Sequence, residues 1–293
     1  MSDPTEQIRV NKTVEKELDR LAQSIEQLLN ADVLAIFGDF FDPLDVEVRD
    51  AVEQRRDKRN RVAVVVDTLG GVVEIVERLV TVIRKHYADV TMVVPDKAMS
   101  AGTVFVMSAD TIMMDYFSCL GPIDPQIRRE SRFIPAKSYL AQFEKLVKKS
   151  EDGTLTNAEA ILLQKLDLGE LHSFQQAEEL SLSLLKEWLA KYKFKDWKVT
   201  ESKGQRVTDE MRRARADQIA TALMNQERWH SHSRPISMDV LIREVNLRID
   251  DFGSDASKRE AIRDYHRFLA DYMGKLGALR VVHTSGRFGA LPF

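Results

Sequence analysis

The chain has 293 residues, 44% apolar and 30% charged, with a formal net charge of −3. That suffices to bury the core of one large domain, or of one domain with appendages, and the balanced charges give no basic footprint for DNA or RNA. The single cysteine, Cys119, excludes an internal disulfide and a cysteine-based zinc site and fits a reducing compartment. The acidic start Ser2-Asp3-Pro4-Thr5-Glu6 lacks the pattern of a secretory signal. No apolar run approaches the ~20 residues of a membrane helix, so the expectation is a soluble, cytoplasmic protein.

Leu18, Leu21, Ile25 and Leu28 recur at helical spacing among charged residues and predict an amphipathic helix over 10–30. The continuous apolar run 33–37, closed by Gly38 and Asp39, predicts a first strand buried on both faces. Asp42-Pro43 then opens a surface helix over 46–56. Residues 62–66 predict a second buried strand, after which Gly70-Gly71 turns the backbone into a helix striped with Val72, Ile75, Val76, Leu79 and Ile83. A third unit follows, with a strand over 90–94, a turn over 95–99, a helix over 101–109 and a strand over 111–114. Strands separated by helices in this way imply a mostly parallel α/β sheet with right-handed crossovers, whose sites lie beyond the carboxyl ends of the strands. Gly121-Pro122-Ile123-Asp124-Pro125 reads as a rigid turn, followed by the basic pair Arg128-Arg129. Helices are expected over 135–149, through most of 151–200, over 208–225 and over 257–276, with a polar loop at 195–204 and a short terminal segment at 279–283.

Two corners of this pattern carry chemistry. Ser100, in Lys97-Ala98-Met99-Ser100-Ala101-Gly102-Thr103, sits at a strand-to-helix turn beside free helical N–H groups. Acyl transfer needs a nucleophile and donors aimed at the developing oxyanion, and the N–H groups of Gly71 and Ala101 are the candidate pair. Gly70 and Met99, next to them, are the candidate substrate contacts. The plainer reading of these spacings is a pair of ordinary glycine-rich turns.

Three motifs add to this reading: Asp67-Thr68-Leu69-Gly70-Gly71, then Ser100-Ala101-Gly102 with Ser100 twenty-nine positions after Gly71, then Leu120-Gly121-Pro122-Ile123-Asp124-Pro125-Gln126. Their order resembles the Clp/crotonase-fold serine peptidases, which include the Clp proteolytic subunit, signal peptide peptidase A and the NfeD peptidases. Within that group the chain is similar to the serine dehydrogenase proteinase branch, where Gly-Pro-Ile-Asp-Pro-Gln follows the serine. The resemblance covers roughly 33–140, and Trp229-His230-Ser231-His232-Ser233-Arg234-Pro235-Ile236 is similar to that branch's C-terminal segment. It implies a Clp/crotonase-like core with helical additions, Ser100 as nucleophile, Gly71 and Ala101 as oxyanion hole, and self-assembly into trimers, hexamers or larger rings.

The general base stays open. The Clp proteolytic subunit carries a histidine after the nucleophile's helix, and residues 118–127 contain none. Signal peptide peptidase A and the NfeD peptidases use lysine, which makes Lys137 a candidate; its plainer reading is an exposed lysine at a helix start. Asp124 is a second candidate, with a turn-capping acid as its plainer reading, and His232 a third. His230 and His232 flank Ser231, and side chains two apart on an extended segment face opposite ways, so no shared metal site is expected. Lys97 reads as a solvated lysine that would otherwise attract an acidic substrate end, and Cys119 as a small buried hydrophobe. No cofactor is expected. Serine dehydration, which the branch's label suggests, normally draws on pyridoxal phosphate or an iron–sulfur cluster, for which the sequence shows no motif.

The expectation is therefore a lead-in helix over 1–30, a catalytic core over 31–150, and a helical and C-terminal extension over 151–293 packed on or between cores. The protein would be a serine peptidase acting on peptides or proteins as a homo-oligomer, with any delivery partner unspecified. The rival readings are a crotonase-like acyl-CoA enzyme and a catalytically silent scaffold.

Overall fold

The computed structural model describes residues 4–123, 126–129, 132–164, 168–200, 203–229, 231 and 233–291. Helix α1 (Pro4–Leu29) leads into β1 (Asp32–Gly38), α2 (Leu44–Gln54), β2 (Arg61–Asp67), α3 (Val73–His86) and β3 (Asp89–Val93). Then come β4 (Lys97–Ala98), α4 (Ala101–Val106), β5 (Thr111–Met114), β6 (Cys119–Leu120) and the hairpin of β7 (Gln126–Arg129) with β8 (Arg132–Pro135). Helices α5 (Ala136–Glu151), α6 (Asn157–Gln164) and α7 (Leu168–Trp188) follow, the last running into a π-helical turn, Leu189–Lys193. The chain closes with α8 (Asp209–Met224), α9 (Gln226–Trp229), β9 (Ile236–Ser237), α10 (Met238–Arg243), β10 (Asp250–Asp251), α11 (Ala256–Leu276), β11 (Arg280–Thr284) and β12 (Arg287–Leu291).

The main sheet runs β10-β5-β3-β2-β1-β11-β12. The strands β1, β2, β3, β5 and β10 are parallel, as the alternation of strand and helix predicts. Because β1 and β2 are central, their residues feed two cores in turn. Leu34, Ile36, Val64 and Val66 pack beneath α2, α3 and α4, and Val33, Ala35, Phe37, Ala63 and Val65 pack beneath α1 and α11. Two-sided burial is why these strands are unbroken apolar runs. Each Val, Leu, Ile or Phe side chain among them withdrawn from water contributes roughly 1.5–3 kcal/mol.

Two departures from the sequence reading bear on how the sheets are built. The expected turn over 95–99 contains β4, which pairs with β6 and through it with β9 in a small separate sheet. Of the segment 279–283, expected as a short terminal piece, residues 280–283 belong to β11, which lies antiparallel to β1 and turns back as β12. Without it β1 would present a bare row of N–H and C=O groups, which folded sheets cover. Residues 236–291 thus supply strands to both sheets, and α11 packs its Ile262, Tyr265 and Leu269 with Leu18, Ala22 and Ile25 of α1. Among the described residues no helix is long and apolar enough to cross a membrane.

Candidate active site

The site is assembled where β2 ends. The Thr68 N–H donates to the Lys97 carbonyl at 3.1 Å and the Met99 N–H to the Thr68 carbonyl at 3.0 Å, so the two glycine-bearing corners are hydrogen-bonded side by side. The buried Thr103 hydroxyl braces them from below: its oxygen lies 2.8 Å from the carbonyls of both Ala98 and Gly121 and accepts the Gly121 N–H at 3.0 Å. Gly102 lets α4 approach, since a Cβ there would stand 2.5 Å from Thr68 Cγ2.

Gly70 and Gly71 have φ of +112° and +137°, values that L side chains rarely adopt. A Cβ on Gly70 would meet Met99 O at 2.9 Å, Ser100 Cβ at 3.0 Å and Ala101 N at 3.2 Å, so this glycine lies against the serine turn itself. Phe40 forms a parallel bridge with Gly71, donating to the Gly70 carbonyl at 2.7 Å and accepting the Val72 N–H at 2.8 Å. In that pattern the N–H of Gly71 points away from Phe40. Among the described residues neither the Gly71 N–H nor the Ala101 N–H has an acceptor.

Ser100 has φ +51° and ψ −117°, a sparsely populated conformation for a residue with a side chain. Such a backbone costs on the order of 1–3 kcal/mol and persists only where its surroundings enforce it. Here the enforcement comes from the Gly102 N–H on Met99 O at 2.7 Å and the Thr103 N–H on Ser100 O at 2.8 Å. The serine stands at the N-cap of α4 without capping it, and its half-buried hydroxyl has no hydrogen-bond partner among the described residues.

The other sequence candidates sit as follows. Met99 is half-buried and its Cε packs toward Gly121. Lys97 is not simply solvated: its ammonium is 2.7 Å from Asp96, whose hydrogen bond raises the lysine pKa. Cys119, read from sequence as a buried hydrophobe, is only partly buried, while the next residue of β6, Leu120, faces the core. Burial and the nearby Asp96 push its thiol pKa up, which disfavours the thiolate. Lys137 is the second residue of α5, with its side chain outside the described part; Asp124, His230 and His232 lie outside the described residues.

Sequence reasoning missed three features around the corner. Asp39 accepts the Leu69 N–H at 3.3 Å, and its burial raises its carboxyl pKa. His266 of α11 reaches Asp67 with Nε2 2.7 Å from Oδ2. Phe41, Leu69 and Val72 leave apolar surface exposed beside Gly70 and Gly71. The last was legible only in part, as Leu69 and Val72 flanking a glycine turn; Phe41 and the other two features join residues too distant in sequence to suggest each other.

Residues 45–211 match the family of ClpP-like SDH-type serine proteinases. An uncharacterised protein of Methanocaldococcus jannaschii is 32% identical over 123 residues, covering 42% of this chain and 38% of that protein. A second from the same organism is 34% identical over 103 residues, covering 35% of each. The chain thus spans well under half the length of either relative. Among solved structures it is similar to the 1510-N membrane-bound stomatin-specific protease. For a serine-to-alanine mutant the identity is 18% and the TM-score 0.31, covering 53% of this chain and 83% of that one. For a lysine-to-alanine mutant in complex with a substrate peptide the values are 21% and 0.32, covering 41% and 59%. Three ordered motifs, a mostly parallel sheet and a family match over more than half the chain converge: the chain belongs to the ClpP-like SDH-type serine proteinases.

Proposed function

We propose that the protein is a serine peptidase. Ser100 Oγ attacks the carbonyl carbon of a peptide bond, the carbonyl oxygen takes up negative charge, and the N–H groups of Gly71 and Ala101 receive it. A base takes the serine proton and returns it to the leaving amine as the C–N bond breaks. Water then attacks the acyl-enzyme and frees Ser100. The observation that carries this reading is the contact between Gly70 and the Ser100 turn, which brings into one corner a hydroxyl and two N–H groups that have no partner among the described residues.

Lys137 is the proposed base, with Asp124 and His232 as the alternatives. Gly70 and Met99 would border the bound peptide, and the exposed Phe41, Leu69 and Val72 favour apolar residues in it. The same reading carries a cytoplasmic homo-oligomer built on trimers or rings.

The test is labelling with a fluorophosphonate probe. Wild type is expected to label, Ser100→Ala to lose labelling entirely, and Lys137→Ala to lower the rate ~10²-fold or more, the scale of a lost general base. Labelling that persists in Ser100→Ala removes the serine from the mechanism. A normal rate in Lys137→Ala moves the base to Asp124 or His232, which Asp124→Asn and His232→Ala then separate. An assembled wild type that labels with nothing and turns over no peptide or ester is the silent scaffold; one that binds CoA thioesters without labelling is the crotonase-like enzyme.

A further inference from the structure

We infer that His266, on α11 far from the serine in sequence, is a positioning residue for the oxyanion corner and acts through Asp67. The inference rests on the reading of Ser100 and Gly71 as the catalytic corner.

Asp67 is the last residue of β2, and the next four residues, Thr68 to Gly71, are the corner itself. Its carboxylate is 17% exposed and its bond at 2.7 Å goes to the His266 imidazole, itself 16% exposed. The imidazole in turn is wedged against the Phe37 ring, with centroids 5.3 Å apart, and Phe37 is the β1 residue in register with Asp67. His266 therefore ties helix, sheet and corner at one point. Farther along, the corner has other holds: the backbone bonds of Thr68 with Lys97 and Met99 and of Gly70 and Val72 with Phe40, Leu69 N–H on Asp39 at 3.3 Å, and Gly70 N–H on the Thr68 hydroxyl at 2.9 Å. None of these bonds the Asp67 side chain, where the strand gives way to the turn.

Removal of the imidazole leaves a mostly buried carboxylate without its partner. A cation that feels Asp67 is Lys97, on the adjoining β4 and already held by Asp96. A carboxylate shifting toward it would draw the start of the corner along. Gly70 has no slack to absorb this, being packed on Met99 O and Ser100. The donor at Gly71 would then miss the oxyanion position, and a displacement near 1 Å at a reacting centre lowers rate by up to ~10²-fold. Substrate contacts would be unchanged, so the loss would fall on kcat and spare KM.

The experiment uses the full chain and p-nitrophenyl acetate, with the burst of nitrophenol counting working sites. His266→Ala is expected to lower kcat per titrated site by about tenfold or more at unchanged KM, and His266→Gln, whose amide can donate to Asp67 from a similar reach, to recover most of it. Hydrogen exchange should show lost protection at the Leu69 and Gly70 amides in His266→Ala and not in His266→Gln. An unchanged kcat, Ala and Gln variants that behave alike, or unaltered exchange at the corner overturns the inference. If wild type shows no Ser100-dependent burst, the peptidase reading fails instead, and the exchange comparison still decides whether His266 holds the corner. Should the alanine variant not fold, Asp67→Asn, which keeps an acceptor for the imidazole, carries the same comparison.

Discussion

Gly70 packs directly on Ser100: a methyl group added to the glycine would stand 3.0 Å from Ser100 Cβ and 2.9 Å from the Met99 carbonyl oxygen. Two turns that are far apart in the chain therefore share one wall, and neither can move without the other. The relation follows from the backbone bonds between Thr68 and residues 97 and 99, which place the corners in adjacent register.

Gly70→Ala tests that wall. The φ of +112° and the short contacts make alanine strained there, at a cost of about 1–3 kcal/mol. The corner should also shift enough to lower kcat/KM by ~10²-fold. Thermal unfolding and ester hydrolysis measured together decide the matter; full activity in the variant would mean that the corner does not take part in the reaction.

Gly102→Ala offers a second test with a built-in rescue. Alanine inside a helix normally gains ~0.5–1 kcal/mol over glycine. Here the new Cβ would meet Thr68 Cγ2 at 2.5 Å, and overpacking of this kind costs about 1–3 kcal/mol. Thr68→Ser removes that methyl and keeps the hydroxyl that accepts the Gly70 N–H. The double variant should be more stable than Gly102→Ala alone by ~1 kcal/mol or more, a coupling typical of residues in contact. Additive effects in denaturant titrations would contradict the contact.

Thr103→Val keeps shape and deletes the hydroxyl between Ala98, Gly121 and α4. The Gly121 N–H is left with its longer 3.3 Å bond to the Ala98 carbonyl. A buried polar group stripped of its partner costs about 1–3 kcal/mol, so the valine variant should melt earlier, while Thr103→Ser should melt close to wild type. Equal melting of all three would show that the hydroxyl braces nothing.

Lys193, on the π-helical turn, is the source of a pH effect. Burial, the largest cause, pushes its pKa down to about 8, with Arg248 adding to the decrease and Asp250 and Asp110 opposing it. In the unfolded chain a lysine titrates near 10.4. Between these values the unfolded state binds more protons, so stability should rise with pH from about 8 to 10.4, by at most ~1.4 kcal/mol per unit from this group. Lys193→Met should flatten that rise relative to wild type. Identical slopes in urea titrations over this range would rule the effect out.

Much of the architecture is legible in local pattern. Strands such as 62–66 are apolar on both faces because the sheet is covered on both sides, and glycines after them signal a turn that side chains would obstruct. Ser100 stands out for the same reason: a polar residue at the mouth of an apolar helix after a buried strand. The small sheet is another matter, because β4, β6 and β9 have two residues each and carry no periodicity to read. Residues near 280 show a short apolar run, yet nothing local says that it lies against β1 in antiparallel register.

The strand–helix alternation, the two glycine-bearing corners and the serine in the second of them can be read along the chain, since each depends on neighbours within a few positions. That Gly70 touches Ser100, that Thr103 braces both corners, and that His266 meets Asp67 across 199 positions of chain emerges with the folded arrangement alone. Those relations come from packing of whole elements, where a one-residue change of register redirects a side chain to the opposite face. No local pattern encodes them.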